Sequence, residues 1–135
     1  MELFNNRVMQ VLQKALDGAT ARHQAIAHNM ANINTSGYKK LEVNFQNQLK
    51  AAVDKSSASL TTTHSRHISN KPSIKDVQPE TTRSTATSMR PDGNNVDIDQ
   101  EMTKMAANIF YFNSAVSQLN KRISLLKHII SEGRR

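Results

Sequence analysis

The sequence predicts an all-α chain: two long terminal helices that form a coiled-coil layer, joined by a polar middle that is flexible or weakly structured. Three observations carry this. Near each end, apolar residues recur at alternating spacings of three and four, the heptad rhythm of a helix seam. Between the ends, residues 56–88 hold fifteen Ser or Thr in 33 positions together with Pro72 and Pro79, so apolar residues are too sparse to form a stripe. Only 37% of the 135 residues are hydrophobic and 4% aromatic, with no Trp and a mean hydropathy of −0.59, which argues against a large conventional core. The chain divides into an N-terminal helix (1–36), a turn with the polar middle (37–95) and a C-terminal helix (96–135).

The first seam runs through Met9, Leu12, Leu16, Ala19, His23, Ile26, Met30 and Ile33, with His23 its only polar member. Gly18 is the one poor helix former inside it, costing about 1 kcal/mol relative to Ala. The pattern stops at Asn34-Thr35-Ser36-Gly37-Tyr38, which has turn chemistry, with Gly37 suited to a positive φ and Asn32 or Asn34 to the terminal carbonyls. Helix one is therefore expected over residues 2–33. In the middle, residues 60–63 and 73–77 have extended-chain composition, but no sheet is assigned from them.

The second seam is cleaner. Ile98, Met102, Met105, Ile109, Phe112, Val116, Leu119, Ile123, Leu126 and Ile130 follow the 4-3 alternation without a polar exception. Upstream, Arg90-Pro91-Asp92-Gly93 is a turn, Asp97 with Gln100 resembles a capping box, and Gly133 follows the last seam residue. Helix two is expected over 97–131, and the two helices should match at roughly 45 to 50 Å each. Asp97, Asp99 and Glu101 sit at its start, with Lys121, Arg122, Lys127, Arg134 and Arg135 toward its end, in keeping with the macrodipole. One narrow seam between two helices leaves flanking residues such as Ala106, Phe110 and Tyr111 uncovered. Neighbouring subunits are expected to cover them, with termini that order on oligomerisation. Ile109, Phe112, Val116 and Leu119 form the central packing layer of that reading.

Chemistry is sparse. With no Cys there is no disulfide, thiolate ligand or Cys nucleophile. His23 and His28 do not share a helix face, and His64 and His67 lie in the polar middle without a third ligand, so no metal or other cofactor is expected. A nucleophile elbow, a phosphate-cradling Gly-rich loop and an apolar carboxylate pair are all missing from the sequence, and no enzyme is expected. The net charge of +7 leaves a basic helical nucleic-acid-binding module as an alternative. Its basic residues are spread evenly along the chain rather than clustered. Apolar runs are too short to span a bilayer, and the start lacks a basic region followed by an apolar one, so neither direct membrane insertion nor a Sec-type signal is expected.

Two motifs carry a family resemblance. Asn29-Met30-Ala31-Asn32 followed by Thr35-Ser36-Gly37-Tyr38 resembles the N-terminal signature of bacterial flagellar basal-body rod proteins. Asp92-Gly93-Asn94-Asn95-Val96-Asp97-Ile98-Asp99-Gln100-Glu101-Met102 and the stretch 63–68 are similar to the proximal-rod type within that family, and argue against another rod subunit such as the C type. The resemblance implies a non-enzymatic subunit of the proximal rod in the periplasm, exported from the cytoplasm by the flagellar type III apparatus. It implies homo-oligomeric assembly, with other rod subunits, the membrane (MS) ring and its rod adaptor, and the export gate as partners, and no nucleic acid. The assembly seam would be Leu12, Leu16, Ile26, Met30 and Ile33 with the ten residues of helix two. Phe45 and Leu49, an i and i+4 apolar pair, match the segment that the export gate reads in similar substrates.

Overall fold

The computed structural model describes residues 7–57, 74–86, 88 and 90–132, leaving out the side chains of 55–57. Its elements in chain order are α1 (Arg7–Ala31), β1 (Leu41–Asn44), α2 (Gln46–Ser57), a 3-10 turn (Ile74–Asp76), β2 (Glu80–Arg83) and α3 (Ile98–Glu132). The mainly helical expectation holds, but the chain is not all-α. β1 and β2 pair antiparallel with Leu41 opposite Arg83 and Asn44 opposite Glu80. Leu41 and Val43 are half-buried while Glu42 and Asn44 face out, the period-2 alternation of a short strand with one covered face.

The helix boundaries follow from local chemistry. α1 ends at Ala31, two residues before the expected stop, because bonds from Ile33 N–H to Met30 O (3.4 Å) and Thr35 N–H to Asn32 O (3.0 Å) tighten the chain into turns. α3 starts one residue from its expected start: Asp97 Oδ1 accepts from the amides of Asp99 (2.9 Å) and Gln100 (3.3 Å), a side-chain N-cap. α1 is described over 25 residues and α3 over 35, and the start expected for helix one lies outside the described residues. Residues 2–6, the stretch 60–63, His64 and His67, and Arg134 and Arg135 lie outside the described residues. Within the 73–77 stretch, Ile74–Asp76 forms a 3-10 turn instead of an extended piece.

α1 is the central element and touches α3, β1, α2 and the 3-10 turn. It runs antiparallel to α3, as Asn29 meets Glu101 while Ala19, further back in α1, meets Asn108, further on in α3. Its buried positions Ala15, Gly18, Ala19 and Ala25 are small, which lets neighbouring elements approach closely. On one side lies the principal apolar cluster: Ala15, Phe45, Leu49, Ala52 and Ile74, with Val43, Val77 and Tyr111 packed around it.

The unfavourable glycine of α1 has a packing cause. A Cβ at Gly18 would fall 2.1 Å from Cδ1 of Phe45, whose side chain is 2% exposed. Gly18→Ala gains about 1 kcal/mol in helix propensity but drives a methyl into a ring with no room to retreat, an overpacking cost of about 1–3 kcal/mol. We expect this variant to melt below the wild type by circular dichroism, and the added change Phe45→Leu to recover part of the loss.

Candidate assembly surface and its polar latch

The signature residues form a latch between the two long helices. The Asn29 side chain is fully buried and uses both ends of its carboxamide. Its Nδ2 donates to Leu41 O (2.9 Å) and to Glu101 Oε2 (2.9 Å). Its Oδ1 accepts from the Leu41 amide (2.7 Å) and the Tyr38 hydroxyl (3.0 Å). The carboxamide thus pairs with both backbone groups of Leu41 as a neighbouring strand would, and ties β1 to α1 and α3 at once.

The groups around it are tied in turn. Glu101, buried in α3, accepts from Lys104 Nζ at 2.7 Å through its other oxygen, so its carboxylate is paired as well as hydrogen-bonded. Tyr38 has one hydroxyl proton, which goes to Asn29. His28 Nδ1 lies 2.9 Å from the same oxygen and 3.3 Å from Asn32 Nδ2, and the His28 and Tyr38 rings stack with centroids 5.9 Å apart. Burial pushes the Tyr38 phenol above its ordinary value of 10.0; Arg83 pulls it back and the Glu101 carboxylate adds to the rise.

Asn94 closes the end of α1. It is buried, and its Nδ2 lies within reach of three carbonyls: Asn32 (3.0 Å), Ile33 (2.9 Å) and Thr35 (3.0 Å). All three belong to the turn that follows α1, where the chain has left the helical ladder. Gly37 and Gly93 make the two turns possible, with φ of 71° and 75°, and the Gly37 amide donates to Asp92 O at 2.8 Å. Of the other signature residues, Asn32 donates to His28 O (2.8 Å), Met30 is half-buried, and Ala31 and Thr35 are exposed.

This latch fixes which face of α3 meets α1. The buried positions of α3 are Glu101, Asn108 and Ala115, a heptad line of polar and small residues. Asn108 Nδ2 donates to Ala19 O at 2.9 Å, and its Oδ1 is buried without a hydrogen-bond partner. The apolar seam lies one position further on. Met102 and Ile109 follow Glu101 and Asn108 by one residue, about 100° around the helix, and both are exposed, as are Ile98, Phe112 and Ile130. Met105, Val116, Leu119, Ile123 and Leu126 are half-buried. On α1, Ile26 is buried and Leu12, Leu16 and Met30 are half-buried, as is Ile33 in the turn that follows. Ala19 and His23 of the first seam share one pocket with Ile109 and Phe112 of the second, Met9 shares another with Leu119 and Ile123, and most of the N-terminal half of the α3 seam is exposed. Phe45 and Leu49 are placed apart from it, buried together in the core.

Sequence reasoning missed Glu101 and Asn108 as contact residues, and Asn94 as a cap. The available signal was a second heptad, Glu101, Asn108 and Ala115, running beside the apolar one.

A seam left open beside a latch built from the signature motif is the arrangement of an assembling subunit, and similar proteins identify the assembly. The chain matches no protein-family model. The flagellar basal body rod protein FlgB of Bacillus subtilis is 35% identical over 99% of this chain and 100% of its own length. The chain belongs to the FlgB family of flagellar basal-body rod proteins. FlgB of Borreliella burgdorferi is 31% identical over 76% of this chain and 79% of its own length. FlgB of Escherichia coli K12 is 29% identical over 90% and 91%. Likeness along the whole length decides for a structural FlgB-type rod subunit of the basal body over the nucleic-acid module and the C-type rod subunit left open by the sequence. No described helix is long and apolar enough to cross a membrane.

The latch gives the fold an alkaline limit. Because the Tyr38 value is raised in the fold, the neutral phenol is the favoured form, and its contribution is complete below pH 10 and lost as pH rises through the higher folded value. In a Tyr111→Phe background, which leaves one phenol, phenolate absorbance should titrate above pH 10 in the native protein and near 10 in denaturant. The loss of stability above pH 10 should be reduced in Tyr38→Phe.

Proposed function

We propose that the chain is a non-enzymatic subunit of the proximal flagellar rod that polymerises through its terminal helices. In this reading the rod it builds links the membrane (MS) ring and its adaptor to the drive shaft crossing the periplasm, and further copies and other rod subunits are its direct neighbours. The observation that carries this reading is the open α3 seam. A small chain of negative mean hydropathy leaves Ile98, Met102, Ile109 and Phe112 uncovered along one helix. Contiguous exposed apolar surface of this kind marks an interaction site. Many copies interlocked along such seams supply the stiffness that transmits torque, whatever the stability of one subunit.

Phe112→Asp tests the assembly. Its side chain is 38% exposed, so a monomer with native helicity by circular dichroism is expected. A charge at the centre of a packed interface leaves an uncompensated ion there, and basal-body incorporation and swimming should both be lost. A variant that swims normally would sink the seam.

Export by the flagellar type III apparatus belongs to the same proposal, with Phe45 and Leu49 as the pair read by the gate. Both are buried in the fold, so the gate must meet the chain before it folds or after it opens. Phe45→Ala with Leu49→Ala is expected to lower secretion. Gly18→Leu, which breaks the same packing but keeps the pair, should be secreted at least at the wild-type rate. Equal secretion of all three proteins would remove the gate assignment.

A further inference from the structure

Phe110 is the most exposed large hydrophobic residue described, at 74%, and it belongs to neither seam. It stands two residues beyond Asn108, the position that faces α1, and so projects about 200° away, from the outer side of α3. A bare aromatic side chain there contributes little to the fold of one copy.

At the same height on the molecule is a pocket of about 290 Å³ between α1 and α3, lined by Ala19, Thr20, His23, Asn108, Ile109 and Phe112. Its walls suit an aromatic ring. The Ala19 and Ile109 side chains are apolar, and Phe112 and His23 offer ring edges and faces for offset or edge-to-face contact. The volume is ample for one phenyl group, since a cavity of roughly 150 Å³ already holds benzene.

On the reading of the chain as a polymerising rod subunit, we propose that adjacent copies lock side by side, with Phe110 of one copy inserted as a knob into this α1–α3 pocket of the next. Knob and hole come from one turn of α3, so the two copies meet with little axial offset. They point to different sides of that helix, and a two-fold pair cannot engage both. Each copy therefore holds one neighbour by its knob and another by its pocket, a heterologous contact that propagates around a common axis as a ring or a helical turn. The second copy is the occupant because it presents an uncovered aromatic at the level of the opening.

The chain has no cysteine, which permits a direct test. Thr20→Cys with Phe110→Cys is expressed as the only copy, basal bodies are purified and oxidised, and cross-linking is read on non-reducing gels. A ladder of dimers and higher species is expected from the double variant, and monomer alone from each single variant. Incorporation without a ladder, or an equal ladder from Phe110→Cys alone, would overturn the contact. Should the double variant fail to incorporate, the amounts of Phe110→Ala and Phe110→Leu in basal bodies decide. The alanine variant should be reduced about tenfold, as expected for loss of an aromatic anchor, and the leucine variant retained. Wild-type incorporation of Phe110→Ala overturns the proposal while leaving the rod assignment standing. Absence of the wild-type chain from basal bodies removes that assignment and the contact with it.

Discussion

A single buried carboxamide sets the geometry on which the rest depends. Asn29 has two donor hydrogens and two acceptor positions, and four groups from three residues take them up: both backbone groups of Leu41, the Tyr38 hydroxyl and the Glu101 carboxylate. An apolar residue of similar size would fill the space but leave both backbone groups of Leu41 and the Oε2 oxygen of Glu101 without the bonds Asn29 supplies, at a cost of about 1–3 kcal/mol for each buried group. The carboxamide also demands direction. Only one height of α3 brings Glu101 opposite Asn29, and only one placement of β1 brings Leu41 alongside. Position in the chain is thereby converted into helix register.

Register in turn decides what is left uncovered. With Glu101 and Asn108 turned toward α1, the apolar seam of α3 is rotated to the flank, and its most regular stretch faces outward. Hydrophobic burial alone would favour the opposite rotation, with Met102 and Ile109 against α1. The polar ties prevail because a buried carboxylate and a buried amide can be satisfied in the observed rotation, while apolar side chains lose only area when they stay outside. Asn108 marks the tension, for its Nδ2 is satisfied and its Oδ1 is not. Within one subunit this is a poor use of apolar surface. For a subunit that joins others, it reserves that surface for the neighbours.

Much of the fold was legible in the sequence because it is local. The rhythm of the α3 seam and the Asp97 cap located that helix to within a residue at either end, and the positive φ of Gly37 followed from turn chemistry. What could not be read was non-local. β1 and β2 are four residues each and lie far apart in the chain; the alternation of Leu41–Asn44 is too short to mark a strand by itself, and Glu80–Arg83 is exposed throughout and has none. Gly18 reads as a weak point in a helix until Phe45 arrives to occupy the space above it. Periodicity marks an apolar stripe, but which stripe meets α1 rests on hydrogen bonds between residues more than seventy positions apart, and periodicity is blind to those.

Burial of Phe45 and Leu49 gives the proposed export step a thermodynamic form. A gate that binds these side chains binds only the open chain, so its apparent affinity falls with the fraction of chain that is open, and a very stable subunit would be a poor substrate. The fold contains features that work against stability: a buried carboxylate, an unpaired buried amide oxygen and an apolar seam left in water. In the proposed assembly the seam is covered once copies meet and the balance reverses, since association stabilises the folded form by mass action. Weakness before assembly and rigidity after it then have one source, the surface that the latch turns away from its own core.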